Sequence, residues 1–354
     1  MTIKQILAQL GGVFPMDEAV VEGIEPPLPA GSTFVSIKHF GTSAWTITGR
    51  LIALDQDGYE KIYFLKVAYG ETGRIMLNGE FESSKTIYST MSDFIPEPFG
   101  FGKYKIQSPP TYFYLSEFID MDVTTAPDPG DFCHKLATLH KLSESPTGKF
   151  GFHTKTCDGD RAHVVDWQDS WAVFYRNLFL GVCELDIKRN GPWPEYERAI
   201  QQVAWKIIPR LLEPLQSDGR QIKPYTGEMT IFDAGSYFAH NEMELGHWRC
   251  EFTYVFRAEV YTWHYLRHYP AAEPVDEFED RNRLYSLKGA INYAAGHPKS
   301  IMRKTYVPHL VAYNNMCYLC EKYAPIDGID KYDPHIDPSI TGAHIVPHVD
   351  DDLI

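Results

Sequence analysis

From Thr33 to Val67 apolar and polar residues alternate in three short runs, TFVSIKHFG, WTITGRLIAL and KIYFLKVA, separated by Gly41 and by Asp57-Gly58. A period of two broken by turn residues predicts a small antiparallel sheet. Between Arg74 and Met91 the spacing lengthens, and Leu77, Phe81, Ser84 and Tyr88 fall on one stripe of a helix packed against that sheet. Glu80, three residues after Leu77, faces inward with it. A proline-bounded loop, Ile95-Pro96-Glu97-Pro98, leads to a further strand over Tyr112–Glu117.

Beyond Asp120 the pattern becomes helical. Asp131–Leu142 places Phe132, Leu136 and Leu139 on one face, and helices are predicted over Trp167–Phe179, Tyr196–Leu215 and Gly246–His268. The fold class is therefore α+β in two lobes: a small antiparallel-sheet lobe with one helix over residues 1–119 and a mainly helical lobe over 120–330. Residues 331–354 close the chain as a loosely ordered tail, in a Pro-, Asp- and His-rich stretch that begins near Asp327 and shows no apolar period.

At 354 residues the chain exceeds the usual size of a single core, which agrees with two lobes. A formal net charge of -14 has the wrong sign for phosphate backbones or anionic membranes, so nucleic acid and membrane are not expected partners. The N-terminal residues MTIKQILAQLGG lack a signal-length apolar run and no stretch reaches the ~20 apolar residues of a membrane span, which leads us to expect a cytoplasmic protein. Six cysteines do not make a disulfide framework, and Cys317 with Cys320 has no second CxxC to complete a zinc site, so buried thiols are expected.

Transfer of a phosphoryl group from ATP needs a tight turn over the phosphates, a lysine on the third strand, an inward glutamate to hold it, a metal-binding aspartate and a base. The turn His39–Ala44, with Gly41, Thr42 and Ser43, offers small residues that let backbone N–H groups approach phosphate oxygens, although a hairpin turn explains it equally well. Lys66 lies in an apolar strand, where its ammonium needs either a carboxylate or an escape to solvent at a strand edge. Glu80 is the natural partner. Ile231-Phe232-Asp233 reads as a short apolar strand ending in a carboxylate, suited to Mg²⁺ or to capping a helix. Glu117, Phe118 and Ile119 follow the last strand of the first lobe and would form a hinge whose backbone meets the adenine edge.

Four blocks, GTSAWTITGRL, YFLKVAYGETGRIMLNGEFES, VDWQDSWAVFYRN and IFDAGSYFAHNEMELGHW, resemble the fructosamine kinase family, the ketosamine and protein-ribulosamine 3-kinases, in its fungal form. The resemblance runs in order from about Thr33 to Tyr269 and implies the bilobal fold of the protein-kinase-like aminoglycoside phosphotransferase superfamily. It implies an ATP- and Mg²⁺-dependent kinase that phosphorylates the third hydroxyl of a ketoamine sugar on a glycated protein or a small amine, so that the adduct falls off. It makes Lys66 and Glu80 the ATP-positioning pair and Asp233 the metal ligand. Gly41, Thr42 and Ser43 become the phosphate loop, and Glu117, Phe118 and Ile119 the hinge. Trp167, Trp171 and Phe174 match an aromatic helix that packs the lobe or contacts sugar, and His240, Glu242 and Glu244 match a segment to which we give a structural ion-pair role.

One motif of the family, HGDLWxGN, which carries the base and a metal-holding Asn, is missing: the sequence passes from QIKP to YTGEMTIFD with no room for it between Pro224 and Ile231. No catalytic residue is therefore assigned. Leu185–Asn190 imitates a catalytic loop, but three residues rather than four separate Asp186 from Asn190. Loss of one block with intact flanks points to an excised segment, such as a mispredicted or skipped exon, more than to the gradual decay of a pseudokinase. The chain is then an impaired ketosamine kinase; the alternatives are a nucleotide-binding scaffold without catalysis and a phosphotransferase for another hydroxylated metabolite.

Overall fold

The computed structural model describes residues 13–20, 28–41, 43–105, 108–122, 124–217, 220, 222, 224–227, 234–250, 252–297 and 307–336. The chain forms two compact units, and both are discontinuous in sequence.

The first unit comprises residues 1–121, 154–162 and 229–236. Its sheet contains β1 (Thr33–His39), β2 (Ile47–Leu54), β3 (Glu60–Tyr69), β4 (Pro98–Lys103) and β5 (Thr111–Glu117), in the antiparallel order β1-β2-β3-β5-β4. Alternation along β3 sends Tyr63, Leu65 and Val67 to one face, where they join Leu51 and Leu115. Residues 13–20 and Leu28 cover that face: Phe14, Val20 and Leu28 are buried in it, and Tyr104 donates its hydroxyl to the Pro15 carbonyl at 2.7 Å. The opposite face carries Lys66, Ala68 and Tyr114 and receives the helix α1 (Gly70–Thr90) through Leu77 and Phe81.

The predicted helix thus exists and begins four residues earlier, directly off β3. Strand β4 was not predicted, because its sequence PFGFGK mixes proline and glycine with apolar residues. It is tolerated on the sheet edge, where one side of the strand makes no ladder. The unit also takes in a small hairpin, β6 (Cys157–Asp158) with β7 (Arg161–Ala162), from well beyond the sheet in sequence.

The second unit comprises residues 122–153, 163–228 and 237–354, and among the described residues it is mainly helical. Helix α2 (Pro129–Leu142) is capped by Asp128, whose carboxylate accepts from the Asp131 N–H at 2.9 Å. Helix α3 (Trp171–Asn190) starts later than the aromatic run suggests: Gln168 exchanges backbone hydrogen bonds with Phe150 and keeps Trp167 and Gln168 extended. The predicted helix over Tyr196–Leu215 is a continuous run of α4 (Pro194–Gln202), a wide turn over Val203–Ile207, α5 (Ile208–Leu212) and a tight final turn. The wide turn lies just before Pro209, which has no N–H to continue an ordinary ladder.

Strands β8 (Tyr225–Gly227) and β9 (Tyr237–Ala239) pair antiparallel. The single helix predicted over Gly246–His268 is two: α6 (Glu242–Trp248) and α7 (Glu259–His268). The Thr253 hydroxyl ends α6 by donating toward the Trp248 and Cys250 carbonyls, at 2.8 and 2.7 Å. Helix α8 (Phe278–Gly296) buries Asp280, Arg281, Asn282, Arg283 and Lys288 and so has no polar stripe to announce it; α9 (Val307–Tyr323) follows.

The start of the stretch expected to be loose is held on α9. Asn314 and the Asp333 backbone exchange two hydrogen bonds of 2.8 Å, and Tyr332 packs on Tyr318. Residues 337–354 lie outside the described residues. None of the six cysteines is in a disulfide; five are buried as expected and Cys157 is half-buried, and burial pushes Cys133, Cys157, Cys317 and Cys320 up to about 12. Among the described residues no helix is long and apolar enough to cross a membrane.

Candidate nucleotide site

The residues singled out in the first lobe gather around Lys66. It sits in the middle of the sheet, paired across to Thr48 on β2 and to Tyr114 on β5. Because Val67 and Leu65 point to the side of Phe14 and Val20, Lys66 must point to α1, and there its Nζ lies 2.7 Å from Glu80 Oε1. The two side chains are 7% and 13% exposed, so the escape to solvent weighed for Lys66 is not taken. Tyr114 shares this environment; burial first, and the Glu80 carboxylate second, push its phenol above the ordinary tyrosine range.

The turn between β1 and β2 is closed at its base, where Phe40 N–H donates to the Thr48 carbonyl at 3.1 Å and Thr48 Oγ1 donates to the Phe40 carbonyl at 2.6 Å. Gly41 has φ +72°, a conformation that favours glycine. Ser43 Oγ accepts from the N–H groups of Trp45 and Thr46, both at 3.2 Å. Two N–H groups of the turn are therefore satisfied internally, and Ser43 organises the turn. Thr42 lies outside the described residues.

Of the three residues expected to form a hinge, Phe118 reaches this turn. The Phe118 ring packs edge-on against Phe40 at 4.9 Å and carries the Arg50 guanidinium over it at 5.4 Å, while Phe40 also meets Phe64 of β3. Glu117 N–H donates to the Glu97 carbonyl at 2.8 Å, which ties the end of β5 to the lead-in of β4. Ile119 is exposed.

Asp233, with Ile231 and Phe232, lies outside the described residues. The segment after it is described and belongs to the first unit: the Ser236 N–H donates to Ser83 Oγ at 3.0 Å, one helical turn from Glu80. The β6–β7 hairpin, absent from the sequence reading, also belongs here. Trp45 at the tip of the turn packs on Gly159, and the Arg161 guanidinium lies 5.6 Å from the indole ring. The signal for this contact was a tryptophan in an otherwise small and polar turn.

In the second unit the structure gives bland roles to the remaining candidates. Trp171 and Phe174 are fully buried, and Trp171 Nε1 donates to the Tyr285 hydroxyl at 2.9 Å. Glu242 forms a two-point ion pair with Arg281 at 2.7 and 3.0 Å, and His240 Nδ1 lies 3.0 Å from the Tyr285 hydroxyl. Asp186 is buried in α3, bonded to Asn190 Nδ2 at 2.8 Å and to His309 Nε2 at 2.6 Å, which disposes of the imitation catalytic loop. Strand β8 begins at Tyr225, directly after Pro224, where the missing motif would start.

A family model described as fructosamine kinase matches residues 47–305. The chain belongs to the fructosamine kinase family. A protein assigned as a fructosamine-3-kinase from Haemophilus somnus 129PT shares its fold with a TM-score of 0.58 at 16% identity, over 90% of this chain and 96% of that one. A second, from Thermobifida fusca YX-ER1, gives 0.59 at 16% identity over 79% and 93%. A five-stranded antiparallel lobe with a helical lobe is thus the protein-kinase-like fold of the fructosamine kinases, and the activity class that comes with the family is that of a sugar-amine kinase.

Proposed function

We infer that this member of the fructosamine kinase family binds Mg·ATP in its first unit and is descended from a ketosamine 3-kinase whose transfer step is impaired in this chain. The observation that carries the reading is the buried Lys66–Glu80 pair, held at 2.7 Å between the middle of the sheet and α1. A buried ammonium fixed by one carboxylate is a stationary positive charge, and the donor set fits a polyphosphate. Gly41, Thr42 and Ser43 would cover the phosphates, Glu117, Phe118 and Ile119 would meet the base, and Asp233 would hold Mg²⁺. When bound, Mg·ATP supplies the phosphoryl group.

The acceptor that fits the family is the third hydroxyl of a ribulosamine or fructosamine adduct, on a glycated protein or a small amine, and the site of action is the cytoplasm. In that transfer the hydroxyl oxygen bonds to the γ-phosphorus, the bond to the bridging oxygen of ADP breaks, and the hydroxyl proton needs a base. The stretch between Pro224 and Ile231 has no room for the motif that provides one. The same absence favours the second reading, a nucleotide-binding scaffold.

The test is calorimetric titration with Mg·ATP beside a phosphorylation assay on ribulosamine and fructosamine adducts. Binding without phosphorylation above background is expected. Turnover of roughly 1 per second, ordinary for kinases, would show that the base lies elsewhere. Sequencing the transcript across Pro224 and Tyr225 separates the two readings, because an intervening HGDLW-type block restores the enzyme.

A further inference from the structure

We propose that Trp45 is a positioning residue for the phosphate-binding turn, clamped by the β6–β7 hairpin so that the turn and Glu80 are referred to one rigid support. The role in nucleotide binding rests on the reading above; the clamp itself stands on contacts within the first unit.

The contact seats a flat aromatic ring on bare backbone. Gly159 has φ +56°, and a Cβ built on it would lie 2.6 Å from Trp45 Nε1 and 2.7 Å from Cε2, so any side chain there evicts the ring. The Arg161 guanidinium, 5.6 Å from the ring centroid, adds a cation–π contact and is itself only 8% exposed. Trp45 is held at both ends, since its backbone N–H is bonded to Ser43 Oγ at 3.2 Å.

The hairpin is anchored in turn to α1. Asn78 Nδ2 donates to Thr154 Oγ1 at 3.0 Å, and the next residue, Gly79, passes so close that a Cβ would lie 2.5 Å from the Lys155 carbonyl oxygen. Glu80 follows immediately. A continuous path of contacts therefore runs from Glu80 through Gly79 and the hairpin to Trp45 and the turn. A turn held before nucleotide arrives loses less conformational freedom on binding, and that raises affinity without any new contact to the ligand.

Trp45→Ala, Trp45→Phe and Gly159→Ala in the full chain, with Lys66→Ala as control, test this by hydrogen exchange of residues 43–48 and by titration with Mg·ATP and Mg·ADP. Trp45→Ala should speed exchange of the Trp45 and Thr46 amides by ~tenfold. It should weaken nucleotide binding by about fivefold, the size expected for one aromatic contact. Gly159→Ala should act in the same direction, and Trp45→Phe should recover most of both effects with an unchanged melting temperature. Unchanged exchange and affinity in Trp45→Ala overturn the proposal, as does a Trp45→Phe variant that recovers nothing. If the unmodified chain binds neither nucleotide, or binds as well with Lys66→Ala, the nucleotide reading fails and exchange alone decides the clamp.

Discussion

Lys66 Nζ and Glu80 Oε1 lie 2.7 Å apart although they are fourteen positions and a change of element apart in the chain. The strand supplies a lysine on the face that α1 covers, and the helix supplies the carboxylate that makes its burial tolerable.

Breaking this pair from either side should cost stability. Glu80→Ala or Lys66→Met alone takes one charge from a buried pair and should cost about 3 kcal/mol, whereas the double variant Lys66→Met with Glu80→Gln leaves no buried charge and should cost less than the sum of the two. Urea denaturation measures all three, and strictly additive losses would contradict the pairing.

Nucleotide affinity should depend on Lys66 more than on Asp233. The sheet and helix around Lys66 are complete, whereas Asp233 has no companion Asn in this sequence, and one carboxylate holds Mg²⁺ weakly. Calorimetry of Lys66→Ala and Asp233→Ala with Mg·ATP decides, and a greater loss for Asp233→Ala would reverse the order.

Stability should fall as the solution is acidified below about pH 6. Burial, then the neighbouring His240, holds His140 down to about 3, and burial with Arg281, partly offset by Glu242, holds His240 down to about 4. Both stay neutral in the folded chain and take up protons near pH 6.5 once unfolded, so their contribution is present above that value and is lost as pH falls toward the folded values. Two such groups give a slope approaching ~2.7 kcal/mol per pH unit between about pH 6 and 4.5. Urea midpoints across this range should show it, and His240→Gln should reduce the slope by about half.

Asp186→Ala should destabilise the second unit by about 3 kcal/mol, because it leaves His309 and Asn190 without their shared buried acceptor. Mg·ATP affinity should not change. A selective loss of binding would reinstate the Leu185–Asn190 segment as a functional loop.

The sheet, α1 and the Lys66–Glu80 pair could be read from the sequence because alternation and helical spacing are local signals, and a lysine in an apolar strand demands an explanation. Helix α8 could not, since its buried Asp280, Arg281 and Lys288 erase the contrast between an inner and an outer face. The break between α6 and α7 turns on one hydroxyl, that of Thr253, catching two carbonyls. Trp45 on Gly159 joins residues more than a hundred positions apart, and nothing in the local pattern of either announces the other.

Residues 154–162 and 234–236 finish a unit whose sheet ends near Glu117, and that places a delay in the birth of the molecule. When the sheet and α1 leave the ribosome, the Gly79 and Ser83 surface of the helix still awaits chain that has not been made. At about 10 residues per second the wait for Ser236 is on the order of 10 s. A fragment ending near Met121 should therefore bind chaperones and resist crystallisation on its own, and separate expression of the first unit requires a circularly permuted or grafted chain that carries the later segments with it.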